Sequence, residues 1–389
     1  MKHLPVLLFS LLLFSCNTVN TVDRASATNG NADHVSAEPA STHIETTLSE
    51  TATPPSIQAE LTHTLKPTWE GFVTHKFENE WTRVHKMRSS CIDFDSKNQI
   101  WSMFLNLEYF DGSAWNTVPT PNGLDKDRVC PHISKDGAIW FFNPYTQRSA
   151  TIIFKFDGEN WTSFGYPEYL TEEMRSKASM TMDTSGQIWL GLLNCANHSC
   201  LYRFDGSQWM EVPFPFSSIY SLSADKKGNL WIGGNSESGV AHYNGRKWIF
   251  YDTKTLWPNG DYGHYAKIEP IEVERDFDGS AWVILKFNDW IRLSSKGKIE
   301  RYPSKLPLDT TYNLNILPDD RGRIWFIRNT TELGYCDYGK NQWGLYVDLP
   351  SNDLLAAPTI VPSPSGDLWL VLPNNSNGEA GLYRYLPAK

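Results

Sequence analysis

The residue types able to do chemistry are thinly spread along this 389-residue chain. Beyond residue 66 the histidines are His75, His85, His132, His198, His242 and His264, with no i, i+2 or i, i+4 pair that would present two imidazoles to zinc. Asp93-Phe-Asp-Ser-Lys-Asn98 starts like a calcium loop but lacks the third acid and a downstream bidentate Glu, so it reads as a turn. Gly-x-Ser-x-Gly, Walker and dinucleotide fingerprints do not occur. No metal and no cofactor is expected. Two groups remain. Glu272 and Glu274, two apart, could do acid–base work. The stretch Trp257-Pro-Asn-Gly-Asp-Tyr262-Gly-His264-Tyr265 gathers four rings whose faces could stack on a sugar, a peptide or an aromatic ligand.

A repeat must position these groups. Trp101, Trp140, Trp189, Trp231, Trp282, Trp325 and Trp369 recur at intervals of 39 to 51 residues. Three residues before each stands Asn98, Gly137, Gly186, Gly228, Gly279, Gly322 or Gly366, which marks a backbone position needing positive φ. Six before stands Asp95, Ser134, Asp183, Asp225, Asp276, Asp319 or Ser363, a short oxygen-bearing side chain suited to a tight turn. Nine before lies Ile92, Pro131, Met180, Leu222, Val273, Ile316 or Ile360, the centre of a preceding strand. A second hairpin follows in most units, as in Phe110-Asp-Gly with Trp115 and Tyr243-Asn-Gly with Trp248. Four short strands in about 45 residues, seven times over, predict an all-β, seven-bladed β-propeller with four-stranded antiparallel blades. The last unit stops short of its outer strand, and Phe77–Val84 match the missing piece. An N-terminal strand, Thr82–Val84, is therefore expected to complete the last blade and close the ring, with an extra strand near 71–77. Of the 16 Trp, thirteen belong to this scaffold; Trp69, Trp257 and Trp290 fall outside it.

The fold predicts where the candidate groups gather. Loops before the inner strand and loops between second and third strands share one end of a propeller. Tyr145, Arg148, Trp257, Tyr262, His264, Tyr265, Lys286 and Trp290 could thus share a rim around the central channel. The alternative is that the 257–265 loop only caps the channel with its own apolar cluster. Cys195 and Cys200 bracket a short loop and are expected to form a local disulfide. Cys91 and Cys130 both lie ten residues before their anchors, so a bridge there would staple neighbouring inner strands. Cys336 replaces a hairpin aromatic and reads as a small buried thiol.

The beginning of the chain has another logic. Leu4–Phe14 is an apolar run too short to span a bilayer, ending in Leu13-Phe14-Ser15-Cys16. This resembles the lipobox of bacterial lipoproteins. The resemblance implies a signal peptide over 1–15, cleavage before Cys16, and lipid on that residue as the membrane anchor; Asn17 resembles outer-membrane routing in Gram-negative cells. Residues 16–66 carry no aromatic residue and are rich in Ser, Thr and Ala, so they predict a disordered tether before the propeller at 67–389. A net charge of −9 argues against a nucleic-acid partner, and a mean hydropathy of −0.42 excludes a multi-spanning membrane protein.

The Gly-x-(Ile/Leu)-Trp turn followed by Tyr/Phe-Asp-Gly-x-x-Trp resembles the two-component regulator propeller repeat, which forms periplasmic sensor regions joined to histidine kinases. Unit five, from Ala281 to Leu293 with Gly297–Tyr302, resembles the streptogramin lyase repeat, although no His and acid pair maps onto that enzyme's catalytic residues. The expectation is a lipid-anchored envelope module that binds a protein, peptide or glycan without catalysis. The alternative is an envelope enzyme, a lyase or glycoside-acting hydrolase, with Glu272 and Glu274 at the channel mouth. Cys16→Ser is expected to abolish labelling by radioactive palmitate and to shift the protein from the membrane to the soluble fraction. Unchanged fractionation would remove the anchor.

Overall fold

The computed structural model describes residues 63–65 and 71–386, except 86–90, 104–105, 127–128, 143–150, 168–169, 171–177, 184–185, 194, 196–198, 226–227, 236–238, 257–269, 277, 286–289, 303–314, 329–331, 351–357 and 373–380. Strands pair into seven sheets, each with four antiparallel strands that follow in sequence order in blades one to six, and these are the blades of a propeller. The anchor Trp always lies in the second strand, as in Ile100–Met103 of blade one and Leu368–Leu372 of blade seven.

The first hairpin of every blade is built as its spacing requires. Asn98 adopts φ 59°, and the six glycines at the same offset lie between 78° and 86°. Their N–H groups donate to the carbonyl three residues earlier, at 2.9–3.4 Å. The side chain six before the anchor does two jobs. Asp95 Oδ1 accepts from the N–H groups of Lys97 and Gln99, both at 2.9 Å, while Oδ2 accepts from the indole of Trp101 at 3.2 Å. The same indole bond forms at Trp189, Trp282 and Trp325 to their aspartates (3.3, 3.1 and 2.8 Å), and at Trp140 to Ser134 Oγ (3.2 Å). Blade four departs from this. Asn229 takes Asp225 Oδ2 at 2.5 Å, and Trp231 instead stacks on His242 with centroids 4.0 Å apart.

Across the sheet the anchor pairs with a ring or a cation of the third strand. Tyr109 lies beside Trp101, Lys155 beside Trp140, Arg203 beside Trp189 and Arg292 beside Trp282. Between blades the contacts are apolar. Ile92 and Phe94 of blade one, for example, pack on Trp369 and Val371 of blade seven.

The N-terminal path is longer than expected. Strand β1 (His63–Leu65) runs parallel beside the outer strand of blade five, His63 opposite Ile299. Strand β2 (Gly71–Lys76) runs parallel beside the outer strand of blade six, Phe72 opposite Trp343. One turn of helix, α1 (Phe77–Glu80), then leads into β3 (Trp81–His85), which pairs antiparallel with Gly381–Tyr385 and completes blade seven. Thr82 and Arg83 pair with Arg384 and Tyr383, while Val84 falls at a register shift. The tether expected over 16–66 is therefore corrected at its end, because His63–Leu65 add a strand to blade five. The anticipated extra strand is two strands, and blades five and six each have five.

One carboxylate ties this path to the ring. Glu80 Oε1 accepts from His75 Nδ1 at 2.7 Å, and Oε2 accepts from the hydroxyls of Tyr346 (2.8 Å) and Tyr385 (2.9 Å). His75 Nε2 meets the Tyr335 hydroxyl at 2.8 Å, and Arg323 donates to Tyr385 at 3.0 Å. Burial works to raise the Glu80 pKa, but the bonds from Tyr346, Tyr385 and His75 outweigh it and hold the group below its ordinary value. A carboxyl with a lowered folded pKa stabilises the protein above its unfolded value, and that stability is lost as pH falls through the folded one. Glu80→Gln is expected to cost about 1.5–3 kcal/mol at neutral pH, the worth of bonds to a charged acceptor. It should also flatten the decline of melting temperature in acid. Denaturation followed from neutral pH into acid measures both, and parallel curves for the two proteins would sink this account.

Candidate functional site

Seven inner strands stand around the axis with their free edges toward the channel. Their side chains alternate between two rows, because successive residues of a strand point to opposite faces. Seven and nine positions before the anchors the row is apolar: Ile92 and Phe94 in blade one, Met180 and Met182 in blade three, Ile316 and Pro318 in blade six. Eight before, five consecutive blades present Asp93, His132, Thr181, Ser223 and Glu274, and Leu317 and Val361 complete the circle. This polar arc interrupts an otherwise apolar ring. Arg275 is the one charged residue in the apolar row.

The arc is ordered by bonds between neighbouring blades. Asp93 accepts from the N–H of Phe94 at 2.7 Å and from the N–H of Ile133, in blade two, at 2.8 Å. The Ser223 hydroxyl donates to Glu274 Oε1 at 3.1 Å and accepts from the N–H of Arg275 at 3.3 Å. The His132 ring stacks on Phe142 at 4.7 Å. Burial raises the Asp93 pKa to about 6 against the opposing pull of the two backbone bonds and of the Arg275 charge. Burial also raises Glu274, opposed by Arg275 and Ser223, and lowers His132 to about 4, so that this imidazole is neutral at pH 7. The arc thus offers hydroxyls, a neutral imidazole, a guanidinium and two carboxyl groups, which suit hydrogen bonding to a polar ligand. Its signal in the sequence is the column eight before each anchor, next to the apolar column that marks the strand.

The bridge Cys91–Cys130 joins the inner strands of blades one and two, with Cα atoms 5.6 Å apart. Cys195–Cys200 closes the loop of blade three, with Cα atoms 5.2 Å apart. Cys336 is a buried free thiol whose pKa is pushed up by burial.

Of the proposed rim, Trp257, Tyr262, His264, Tyr265, Lys286, Tyr145 and Arg148 lie outside the described residues, as does the Glu272 side chain. The approach to the aromatic loop is described. A short helix, α2 (Thr253–Leu256), begins where Asp252 Oδ1 accepts from the N–H of Thr255 at 2.6 Å, and Leu256 is wholly buried. Trp290 requires a correction. It is 2% exposed, packed edge-on to Trp282 at 6.3 Å within the cluster between blades five and six. A ring so enclosed has no face to offer a ligand. From the start of the third strand it pairs with Tyr302 at the end of the outer strand. Among the described residues, no three potential metal ligands converge.

Residues 213–236, spanning the outer turn of blade three to the second strand of blade four, match the family model described as two component regulator propeller. No curated protein matches the chain. Solved structures share the fold. A catalytically inactive virginiamycin B lyase from Staphylococcus aureus with quinupristin is 15% identical, with a TM-score of 0.56 over 79% of this chain and 99% of that one. YCF48 bound to D1 peptide is 15% identical, with a TM-score of 0.54 over 79% and 97%. The extracellular domain of a putative hybrid two component system from B. thetaiotaomicron is 16% identical, with a TM-score of 0.52 over 79% of this chain and 41% of that one. Identities this low speak for the fold alone.

Trp290→Ala is expected to cost about 3–5 kcal/mol of stability, as for other large buried rings, while a variant kept folded by low temperature retains ligand affinity. Chemical denaturation beside a binding assay separates the two. A fully stable Trp290→Ala would return the ring to the candidate surface.

Proposed function

We propose that this protein is a lipid-anchored, extracytoplasmic binding module held in the cell envelope through Cys16, at the outer membrane if the host is Gram-negative. A protein or peptide segment engages the loop-bearing end of the channel. The polar arc of Asp93, His132, Thr181, Ser223 and Glu274 carries this reading, because five blades in succession place hydrogen-bonding groups where the repeat elsewhere places apolar ones. Such groups match the donors and acceptors of a peptide backbone, and the rings of Trp257, Tyr262 and Tyr265 are the candidate stacking partners. Support also comes from the fold shared with the extracellular part of a two component system and with YCF48, which is bound to a D1 peptide. Among the described residues no helix is long and apolar enough to cross a membrane.

A second reading rests on Glu274. A carboxyl raised by burial and bonded to a serine hydroxyl has the character of a general acid, so an envelope lyase or glycoside-acting hydrolase is the alternative.

Pull-down from envelope extracts with the Cys16→Ser chain, then peptide and glycan arrays, tests both. Trp257→Ala and Glu274→Gln are each expected to weaken capture about tenfold, the equivalent of 1.4 kcal/mol. Capture unchanged by both would move the site off this end of the ring. Array binding by glycans alone would replace the peptide. Turnover of the captured ligand that Glu274→Gln abolishes would establish the enzyme.

A further inference from the structure

Because the strands of each blade alternate in direction, its first and second hairpin turns emerge together at one end of the ring. The connections from one blade to the next leave from the other end. At the hairpin end the outer turns carry charges sorted by position. Blades one to three present Asp111, then Asp157 with Glu159, then Asp205; blades four to six present Arg246 with Lys247, then Lys296 with Lys298, then Lys340. All of these side chains are exposed.

The acidic arc is fixed in place. Asp111 Oδ1 accepts from the N–H groups of Ser113 and Ala114 at 2.8 and 2.9 Å, and Asp157 and Asp205 are bonded in the same way. These bonds hold all three below the usual carboxylate range. Of the basic arc, Lys298 reaches Glu300 at 2.9 Å and Lys340 reaches Asp337 at 3.3 Å within their own blades. Among the described residues no ion pair holds Arg246, Lys247 or Lys296.

We infer that this end is a self-complementary interface on which a second copy of the chain docks face to face. A twofold axis lying in the face, passing between blades three and four and through blade seven, brings blade three over four, two over five and one over six. Asp205 then faces Arg246 and Lys247 of the second copy, Asp157 and Glu159 face Lys296 and Lys298, and Asp111 faces Lys340. Every contact occurs twice, as an isologous interface requires. At the inner turns two further pairs fall on the same axis with the signs exchanged, although Asp278 is also bonded by Arg292 of its own blade at 2.6 Å. Lys97 of blade one meets Asp320 of blade six, and Lys135 of blade two meets Asp278 of blade five, with Asp136 and Arg321 partly offsetting them. Glu78 of blade seven, near the axis, is the like-charge contact. One operator that pairs all three outer turns of each half with opposite charges favours a second copy over an unrelated partner. A net charge of −9 opposes the approach of two copies in other orientations. Exposed pairs are individually weak and screened by salt, so the dimer is weak and salt-labile. It leaves the channel mouth free.

Sedimentation equilibrium of the Cys16→Ser chain tests this. Dimers are expected at about 20 mM salt and monomers at about 500 mM, because the screening length shrinks several-fold between them. Arg246→Glu with Lys247→Glu should weaken association roughly tenfold, and adding Asp205→Lys should restore it, since the swapped charges meet again across the axis. Melting temperatures of these surface variants report folding independently. A monomer at low salt up to about 100 µM, a dimer indifferent to salt and to the reversal, or a failure of the triple variant to recover would each overturn the proposal. Because the ligand capture proposed above is assigned to the opposite end, the monomeric reversal variant should still bind as the parent does.

Discussion

A single side chain placed between a turn and an indole organises this molecule. In Asp95, Asp183 and Asp319 one carboxylate oxygen closes the first hairpin through backbone N–H groups while the other receives the anchor indole, and in Asp276 Oδ2 receives both the indole of Trp282 and the guanidinium of Arg292. The buried carboxylate would be costly without partners, and the indole N–H would be costly beside it. Together they satisfy each other and fix the Trp rotamer. That rotamer determines what the next blade can pack against it, so a local hydrogen bond sets the blade-to-blade contact. Ser134 does the same with a neutral hydroxyl, which places the requirement on a short acceptor rather than on charge. Blade four meets it differently, by stacking Trp231 on a buried His242 whose imidazole burial keeps neutral.

Closing the ring poses a different problem, because blade seven is built from two distant stretches of chain, its outer strand Trp81–His85 having no hairpin to its third strand Gly381–Tyr385. The answer is a chain that crosses three blades before its own repeat begins. Parallel pairing of β1 and β2 along blades five and six positions α1, and α1 delivers Glu80 to two tyrosines of different blades, Tyr346 and Tyr385. Phe77 and Trp81, 2% and 3% exposed, fill the cluster beneath. The seam is thus held by a buried apolar wedge with a polar latch over it.

The repeat, the positive-φ column and the closing strand were legible because each is a local rule repeated seven times or completed once. Asn98, Gly137 and their equivalents announce a conformation that needs no knowledge of neighbours. The latch was not legible, since His75, Glu80, Tyr335, Tyr346 and Tyr385 are brought together only by strand pairing over some 260 to 305 residues. Trp290 misled for a related reason. Unit five lacks the usual Asp-Gly hairpin, so its aromatic residues had no template, and only the register of Trp290 opposite Tyr302 places the ring inside. The polar arc lay in plain view one column from the strand marker, hidden because Asp93, His132, Thr181, Ser223 and Glu274 share no residue type.

The gap in that arc follows from the seam. Leu317 of blade six packs into the cluster that holds Phe77, Trp81 and Trp325, and Val361 of blade seven packs into the one that holds Ile92 and Phe94. At these two blades the inner-strand position belongs to an apolar layer running from the axis to the rim, and a polar group there would be buried in the joint that closes the ring. The other five blades hold this position outside these two clusters. They can leave the same position polar and satisfy it across blades, as Asp93 does with the N–H of Ile133 and Ser223 with Glu274. Where the inner ring can be polar is therefore set by where it must be sealed.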